Sequence, residues 1–430
     1  MNIVHIIPGS GGSFYCGNCL RDSKLFDAIR AEGHDAVKIP MYLPLFAHDM
    51  TGKEIPVFYG AISIYLKQQF AVLRHAPEWL DKLLNSKPML RFAAHMANST
   101  RASGLEEMTI SMLMGEDGMQ KDELEKMVHW LETHLKPDVI HISNALLLGL
   151  AHQLKQRLQI PLVCSLQDED VWVNHMHPEV AKKVWGLMRE KADDVDMFIA
   201  VSRYYTSFMK DKMQLPDNKI ATMHLGVDPI DYQFINAIDK PRFIGYLSRL
   251  CYDNGLDILI DAFILLRQNK NFADVRLLLT GGQTGDDKAF IKNQKKKLRQ
   301  ANLISSVEFI DDFDSKQRNE FFNKVMLLSV PVRNGEAFGI YLTEAMAAGI
   351  PVVQPALGAF PEIIAQSGGG ITYQQNTPEQ LAEALKKLLN DKSMISQLSL
   401  QAQKGTQEAF NIHAVAKKMI SLYEQVAQKK

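Results

Sequence analysis

The chain has 430 residues, more than one hydrophobic core normally holds, so we expect two or more domains with a cleft between them. The 48 basic residues nearly balance the 49 acidic ones, which argues against a dedicated nucleic-acid binder. The N-terminus MNIVHIIPGSGG lacks a signal-peptide pattern, and no apolar run is long enough to cross a bilayer. With only four cysteines, a disulfide scaffold is excluded, and the composition predicts a cytoplasmic globular protein.

Short runs rich in Ile, Val and Leu alternate with helical patterns in the first half of the chain. The runs are IVHIIP at Ile3, AVKIP at Ala36, DVIHIS at Asp138, PLVCSL at Pro161 and MFIAVS at Met197. Continuous apolar strands separated by helices predict a parallel sheet that is covered on both faces.

The segment between Pro40 and Pro137 interrupts this series with helical spacing. It is too long for a plain connection, so a helical insertion is predicted at about residues 41–136, near the mouth of the cleft. Two interpretations stay open. In one, the helices pack on their own domain. In the other, an amphipathic face recognises an acceptor substrate or docks on a membrane.

A second series of apolar runs follows the polar stretch around residue 235. Its members are FIGYL at Phe243, VRLLLT at Val275, SVEFI at Ser306, MLLSVP at Met326 and PVVQ at Pro351. The fold class predicted is α/β, with two doubly wound domains at residues 1–235 and 236–410 that face a cleft. Residues 411–430 are expected to form a helix that returns to the N-terminal domain.

The stretch GEAFGIYLTEAMAAGIPVV places Glu336 on a strand-to-helix loop and Glu344 about one turn into the helix. In a doubly wound sheet, this loop lies at the carboxyl edge of the strands, where ligands bind. The backbone N–H groups of Phe338, Gly339 and Ile340 at the helix start suit a phosphate. Two carboxylates would repel that anion, so we expect them to accept hydrogen bonds from sugar hydroxyls attached to it.

The run EAFGIYLTEAMAAGIPVV resembles the E-x7-E signature of the family 4 retaining glycosyltransferases, which have the GT-B fold of two Rossmann-like domains. The resemblance implies that Glu336 contacts the donor sugar and that Glu344 contacts the ribose of the nucleotide. It also implies that the donor is a nucleotide diphosphate sugar, held without a cofactor or a metal ion.

Further pieces resemble the family in the same order along the chain. GSGG, with Gly11 and Gly12, resembles the glycine loop that approaches the donor phosphates and the acceptor. LLTGG, with Gly281 and Gly282, resembles the loop beside the nucleotide base. The other matching pieces are RAEGHDAVKIP, AVS at Ala200, LGVDP at Leu225, GYLSRL at Gly245 and GAFPEII at Gly358.

Arg249 follows the strand in GYLSRL, and its fork of donors suits a diphosphate. The family pairs this arginine with a lysine five residues further on, where this chain has Asn254 in RLCYDNGLDIL. One cation that would balance the leaving diphosphate is therefore absent, or is supplied by Lys288 or Arg333.

The run CSLQDEDVW departs from the family on the acceptor side. Gln167 stands where many relatives have a histidine, and Asp168 follows it. Glutamine can orient a hydroxyl but cannot take a proton. The resemblance implies a front-face reaction in which the departing phosphate accepts the acceptor proton, so turnover does not require that histidine.

Three clusters have spacings typical of metal or redox sites. DED at 168–170 and DDFD at 311–314 resemble carboxylate ligands for a hard cation, but the resemblance to GT-B enzymes implies no metal. CGNC at 16–19 has zinc-like or redox spacing without two further ligands nearby. A packing role is favoured for these cysteines.

The sequence thus predicts a retaining glycosyltransferase that moves a sugar to a hydroxyl acceptor in polysaccharide or glycolipid synthesis. Glu336, Arg249 and Asp168 are its candidate catalytic residues. The predicted acceptor is a glycan or a lipid-linked molecule, with peripheral contact at the inner face of the membrane. The alternatives are a non-catalytic GT-B protein that binds a nucleotide sugar or a partner glycosyltransferase, and a nucleotide-sugar epimerase. A dehydrogenase is disfavoured because GSGG lacks the full dinucleotide-binding pattern.

Overall fold

The computed structural model describes residues 1–8, 17–41, 105–310 and 315–428. The chain forms two compact units. The N-terminal unit contains most of the chain from Met1 to Met223 and resumes at Val415, and the C-terminal unit runs from His224 to Ala414. The glycine loop at 9–12, most of the predicted insertion and the DDFD run lie outside the described residues.

The N-terminal unit is built on a six-stranded sheet in which all neighbouring strands are parallel, with the order β2-β1-β3-β4-β5-β6. The first five strands coincide with the five predicted apolar runs, and the short last strand was not predicted. Their bounds are β1 Asn2–Ile7, β2 Asp35–Pro40, β3 Val139–Ile142, β4 Leu162–Leu166, β5 Met197–Ala200 and β6 Ile220–Thr222. The side chains of β1 to β5 are almost entirely buried, as expected for a parallel sheet covered on both faces, whereas those of the edge strand β6 are partly exposed.

Helices connect these strands and cover the sheet. They are α1 Gly17–Ala31, α2 Glu106–Met114, α3 Lys121–His134, α4 Ala151–Leu158, α5 Glu169–Val173, α6 Pro178–Lys191 and α7 Arg203–Met213. In α3 the buried residues Leu124, Met127, Val128 and Leu131 recur at helical spacing and form one apolar face. Both α2 and α3 belong to the end of the predicted insertion, whose earlier residues 42–104 lie outside the described part of the chain.

The C-terminal unit contains a second all-parallel sheet of six strands, with the order β12-β11-β10-β7-β8-β9. The strands are β7 Phe243–Leu247, β8 Arg276–Thr280, β9 Val307–Phe309, β10 Val325–Leu328, β11 Val352–Pro355 and β12 Gly370–Tyr373. This is the doubly wound order in which the chain reverses direction between the first and the fourth strand, here β7 and β10. The loops that follow these two strands therefore meet at the edge where such folds bind ligands.

Helices cover both faces of this second sheet, which confirms the predicted α/β class. They are α8 Leu256–Arg267, α9 Lys288–Gln300, α10 Ser315–Lys324, α11 Ile340–Ala347, α12 Phe360–Ser367, α13 Pro378–Leu389 and α14 Lys392–Ala409.

The last helix, α15 Ile412–Gln428, begins in the C-terminal unit and ends in the N-terminal one. Its Tyr423 is fully buried, and the hydroxyl lies 2.6 Å from Nδ1 of His141 on β3. The other ring nitrogen of His141 lies 2.8 Å from the hydroxyl of Ser165 on β4. A buried hydrogen-bond chain thus joins α15 to two strands of the N-terminal sheet.

Replacing Tyr423 by Phe tests this junction. The variant leaves the buried Nδ1 of His141 without its partner, which should lower the free energy of unfolding by about 1–3 kcal/mol. Urea denaturation followed by circular dichroism measures the change. Lys417→Ala is the matched control, because Lys417 is exposed on the same helix and only approaches Glu32 at 3.7 Å, a surface pair worth about 0–1 kcal/mol. Equal losses in the two variants would contradict the role given to Tyr423.

Candidate functional site

The loop between β10 and α11 carries Glu336 and ends at Gly339, the residue before α11, which has φ +82°. A Cβ atom on Gly339 would lie 3.1 Å from Oε2 of Glu336, so the absence of a side chain lets the carboxylate lie against the start of the helix. The first N–H groups of an α-helix have no partner within the helix. The structure therefore brings Glu336 together with the anion-attracting end of α11, as the sequence predicted.

The backbone of this loop is held by the segment before α12. Gly358 has φ +57°, and a Cβ there would come within 2.6 Å of the N and O atoms of Glu336. The next residue, Ala359, donates its N–H to the carbonyl of Glu336 at 3.0 Å. The GAFPEII run thus acts as a backbone support for Glu336, and its glycine is required by the close approach.

Phe338 holds the same loop in place through its buried side chain. The side chain is 2% exposed, and its ring centroid lies 5.9 Å from that of Phe410 and 6.1 Å from that of His224. Nε2 of His224 lies 2.6 Å from Oε1 of Glu362. The side chain of Phe338 is therefore part of the core, and only its backbone N–H remains a candidate for the predicted phosphate contact.

Glu344 is fully buried on α11. Its Oε1 accepts a hydrogen bond from the hydroxyl of Tyr232 at 2.8 Å and forms an ion pair with Arg318. Arg318 also donates to the Tyr232 hydroxyl at 2.7 Å, and burial raises the pKa of Tyr232 to about 12. Arg318 thus balances the charge of Glu344 within the same unit. The contact of Glu344 with a ribose stays a prediction.

Arg249 lies two residues after β7 and forms a bidentate pair with Asp287. Nε lies 2.8 Å from Oδ2 and Nη2 lies 2.9 Å from Oδ1, and Nη2 also donates to the hydroxyl of Thr284 at 2.9 Å. Burial favours a higher pKa for Asp287, but Arg249 and the N–H and hydroxyl of Thr284 hold it below its usual value. Arg249 is thus fixed at the sheet edge with its charge balanced by a buried carboxylate.

Asn254 stands where the family resemblance implies a lysine, and in the structure it supports the loop. Its side-chain NH2 group donates to the hydroxyl of Ser248 at 2.7 Å, and its backbone carbonyl accepts from the hydroxyl of Tyr246 at 3.3 Å. Tyr246 also donates to the carbonyl of Arg249 at 2.8 Å. Asn254 therefore helps to position Arg249 without adding a positive charge.

The two predicted substitutes for the missing cation lie in different surroundings. Arg333 pairs with Asp257 and donates from Nε to the carbonyl of Tyr252 at 3.1 Å. Lys288 is exposed at the first position of α9, directly after Asp287. Of the two, Arg333 already has a carboxylate partner.

The loop after β8 packs on the loop after β7 through Gly281 and Gly282. Gly281 has φ +127°, and a Cβ there would lie 2.2 Å from the carbonyl oxygen of Ser248. The carbonyl of Gly282 accepts from the N–H of Leu250 at 2.9 Å. Glycine is therefore needed at residue 281 for the two loops to meet beside Arg249.

Gln167 and Asp168 follow β4 in the N-terminal unit, as predicted. Gln167 is 6% exposed and donates its amide to the carbonyl of Ser143 at 2.8 Å. Within the described residues, its Oε1 is buried and has no hydrogen-bond partner. Asp168 has φ +57°, a left-handed conformation that Asp adopts more readily than most residues.

Glu169 was not identified from the sequence as a residue of this site. It is 2% exposed, and its Oε1 accepts from the N–H of Ala145 at 2.9 Å. Its Oε2 accepts from the N–H of Gln167 at 2.7 Å and from the hydroxyl of Tyr205 at 2.8 Å. Burial outweighs these donors and raises the pKa of Glu169 to about 7.

The clusters with metal-like spacing give no metal site in the described ranges, where no group of three or more His, Cys, Asp or Glu is suited to hold an ion. In DED, both oxygens of Glu169 accept the hydrogen bonds described above. Gly11, Gly12, DDFD and the CGNC side chains lie outside the described residues.

Every helix in the described ranges is too short or too polar to cross a bilayer.

Two family models match adjoining parts of the chain. Residues 119–230 match Glycosyltransferase Family 4, and residues 229–405 match Glycosyl transferases group 1. With the two Rossmann-like sheets described above, the matches show that the chain belongs to the family 4 glycosyltransferases of GT-B fold, which confirms the resemblance found in the sequence.

Two curated relatives illustrate the range of the family. An uncharacterized glycosyltransferase of Methanocaldococcus jannaschii is 23% identical over 70% of this chain and 79% of its own length. The lipopolysaccharide core biosynthesis mannosyltransferase LpsB of Rhizobium meliloti is 26% identical over 48% of this chain and 56% of its own length. The second match thus spans little more than half of that relative.

Solved structures share the fold of this chain. A sucrose-phosphate synthase from Thermosynechococcus elongatus has a TM-score of 0.73 at 17% identity, and the match covers 100% of this chain and 99% of that one. Anabaena HepE in complex with UDP has a TM-score of 0.69 at 16% identity, over 99% of this chain and 100% of that one. These likenesses establish the GT-B fold.

Replacing Gly281 by Ala tests the contact between the loops after β7 and β8. The positive φ alone should lower the free energy of unfolding by about 1–3 kcal/mol, and the clash with Ser248 adds to this loss. Thermal unfolding of the purified chain measures the effect. Gly285→Ala is the control, because a Cβ at that position in the same loop meets nothing within 4 Å. A Gly281→Ala variant as stable as the control would contradict the close approach.

Proposed function

We propose that this glycosyltransferase moves a sugar from a nucleotide diphosphate sugar to a hydroxyl acceptor with retention of anomeric configuration. The observation that carries the proposal is the place of Arg249 just after β7, and of Glu336 and the start of α11 after the neighbouring strand β10, at the reversal point of the C-terminal sheet. Anabaena HepE has been solved with UDP and with UDP-glucose, and this supports a nucleotide-sugar donor for the shared fold.

The proposed chemistry depends on positioning and on stabilisation of the departing phosphate. Arg249 and the first N–H groups of α11 would hold the diphosphate, because fixed donors and a helix N-terminus stabilise developing negative charge. Glu336 would accept a hydrogen bond from a donor-sugar hydroxyl. The departing phosphate would take the proton of the acceptor hydroxyl as the new glycosidic bond forms on the same face of the sugar.

The proposed acceptor is a glycan or a lipid-linked hydroxyl compound. This class is supported by the relatives, which include a lipopolysaccharide core mannosyltransferase and a phosphatidyl-myo-inositol mannosyltransferase of Mycobacterium leprae. Gln167 and Asp168 are the residues proposed to face the acceptor. Peripheral contact with a membrane belongs to the same proposal.

A second candidate function is binding of a nucleotide sugar without turnover. It is favoured by Asn254, which adds no positive charge where the family resemblance implies a lysine and which donates to the hydroxyl of Ser248. Arg249 is also balanced by Asp287. The two candidates share the donor site and differ in whether product forms.

A panel of nucleotides tests the donor site. Uridine, guanosine and adenosine diphosphates and their sugars are added at increasing concentration while the melting temperature is recorded. A ligand at 100 times its Kd should stabilise the native protein by about 2.7 kcal/mol. We expect one nucleotide series to raise the melting temperature. No shift with any of them would overturn the proposed function.

Glu336→Gln separates the sugar contact from the nucleotide contact. Because Glu336 is proposed to bind the sugar, the variant should bind the sugar nucleotide about tenfold more weakly, as expected for loss of a charged hydrogen bond, and should bind the free nucleotide diphosphate as before. Titration calorimetry measures both affinities. Glu383→Gln is the control, because this glutamate is 71% exposed on α13 and pairs only with Lys386. Equal weakening of both ligands would contradict the sugar contact.

Turnover separates the two candidate functions. The sugar nucleotide that gives the largest thermal shift is incubated with the protein and a set of glycan and lipid-linked acceptors, with and without EDTA. We expect a product whose anomeric proton shows the configuration of the donor by NMR, at the same rate in both conditions. Binding without any product would favour the non-catalytic candidate. A product of inverted configuration would contradict retention. Loss of activity in EDTA would contradict metal independence.

A further inference from the structure

Glu169 joins two loops at the carboxyl edge of the N-terminal sheet. One loop follows β3 and contains Ser143 and Ala145, and the other follows β4 and contains Gln167. The Glu169 carboxylate accepts the N–H of Ala145 with one oxygen and the N–H of Gln167 with the other. A single buried side chain thus connects the ends of two neighbouring strands.

The arrangement requires a carboxylate. Both oxygens of Glu169 face donors. Oε1 faces the N–H of Ala145, and Oε2 faces the N–H of Gln167 and, at 2.8 Å, the hydroxyl of Tyr205. A glutamine in this place would offer one acceptor oxygen and would turn an NH2 group toward one of the two backbone N–H groups. An aspartate would be one methylene too short to span both loops.

Gln167 is held at both its backbone and its side chain. Its N–H is bound by Glu169, and its amide nitrogen donates to the carbonyl of Ser143. Its Oε1 is buried and without a hydrogen-bond partner in the described residues. Such an atom is costly to leave unpaired, so it is suited to accept a hydrogen bond from a ligand hydroxyl. Asp168 stands between Gln167 and Glu169 in the chain and has a left-handed backbone conformation.

We propose that Glu169 is a positioning residue for the acceptor side of the transfer reaction. Its carboxylate ties the loop after β3 to the loop after β4 and so fixes Oε1 of Gln167 and the turn at Asp168 where the acceptor hydroxyl is bound. The inference rests on the proposed function for the identity of that ligand. The link between the two loops is a property of the protein itself.

The charge state of Glu169 should control this link. Its pKa of about 7 results from burial, against an ordinary value of 4.5. The titratable groups that interact with Glu169 are Tyr205 on α7 and Cys164 on β4. Asp168 and Asp170 stand on either side of it in the chain and interact with the same Tyr205. The pKa values of Tyr205 and Cys164 are raised by burial, so these two groups remain neutral in this range. Above pH 7 the ionised carboxylate accepts both N–H bonds, and below it one oxygen carries a proton.

Ionisation of Glu169 completes the link between the loops, but it lowers the free energy of unfolding. The pKa in the folded chain exceeds that in the unfolded chain, so the native state binds more protons between about pH 4.5 and pH 7. The contribution of Glu169 to the free energy of unfolding therefore falls as the pH rises through this window. A Glu169→Gln variant should lose this component of the pH dependence.

Amide hydrogen exchange tests the link without any ligand. Exchange is measured by mass spectrometry between pH 6 and pH 8 and corrected for the intrinsic effect of pH. In the wild type, peptides containing Ala145 and Gln167 should become more protected as the pH rises through 7. In Glu169→Gln they should exchange at least tenfold faster at pH 8 and show no step near pH 7.

Asp170→Asn is the matched control. Asp170 accepts from the same Tyr205 hydroxyl, at 2.9 Å, but the hydrogen bonds that join the two loops are those of Glu169. We expect its exchange in both loops to match the wild type. Equal exchange in wild type and Glu169→Gln, or an equal increase in Asp170→Asn, would overturn the proposal. Peptides of the C-terminal unit, such as those around Asp287, report any global destabilisation.

A kinetic measurement tests the positioning role. Calorimetry should give the same Kd for the sugar nucleotide chosen in the panel, within twofold, for wild type and Glu169→Gln. Hydrolysis of that sugar nucleotide, with water as acceptor, should be at least tenfold slower in the variant, and its rate should no longer rise between pH 6 and pH 8. Unchanged hydrolysis would overturn the positioning role. If no nucleotide binds the wild type, the proposed function fails, whereas the exchange data still decide whether Glu169 links the loops.

Discussion

The candidate site of the C-terminal unit depends on β7 lying beside β10 in one parallel sheet. The pairing brings the end of one strand, with Arg249, next to the end of the other, with Glu336. Gly245 on β7 makes it possible, because a Cβ there would lie 2.7 Å from both methyl groups of Val325 on β10. Two segments about ninety residues apart in the sequence thus lie at one edge of the sheet because a glycine allows their strands to approach.

The features that could be predicted from the sequence are those that depend on neighbouring residues. The strands were recognisable because parallel strands buried on both faces are continuous apolar runs. Glu336 and the start of α11 were predicted to lie together because they are adjacent in the chain. The position of Arg249 followed from its place just after a strand. Each of these inferences needs only the local pattern and the rule that parallel strands end at the same edge.

The partners of the charged residues could not be predicted in the same way. Arg318 and Tyr232 meet Glu344 from other parts of the C-terminal unit, and no local pattern indicates that a glutamate on an alanine-rich helix is fully buried. The burial of Glu169 gave no signal, because in the run DED it resembled only one of three neighbouring carboxylates suited to a cation. The Thr284–Asp287 spacing did carry a signal, since Thr-x-x-Asp resembles a capping box, which the structure contains. What the spacing could not show is that the capping carboxylate also binds Arg249.

These pairings determine how a diphosphate could be held. A unit charge about 4 Å from an anion near a protein surface contributes about 4 kcal/mol, so a diphosphate bound beside Asn254 would lack the contribution that a lysine there would make. Asp287 offsets much of the charge of Arg249 at longer range, although the guanidinium still offers directed N–H donors. The N-terminus of α11 supplies about half a unit of positive charge through backbone N–H groups, with the carboxylate of Glu336 close to it. In a reaction at this site, stabilisation of the departing phosphate would therefore depend more on the backbone of α11 and on exact placement of Arg249 than on net positive charge.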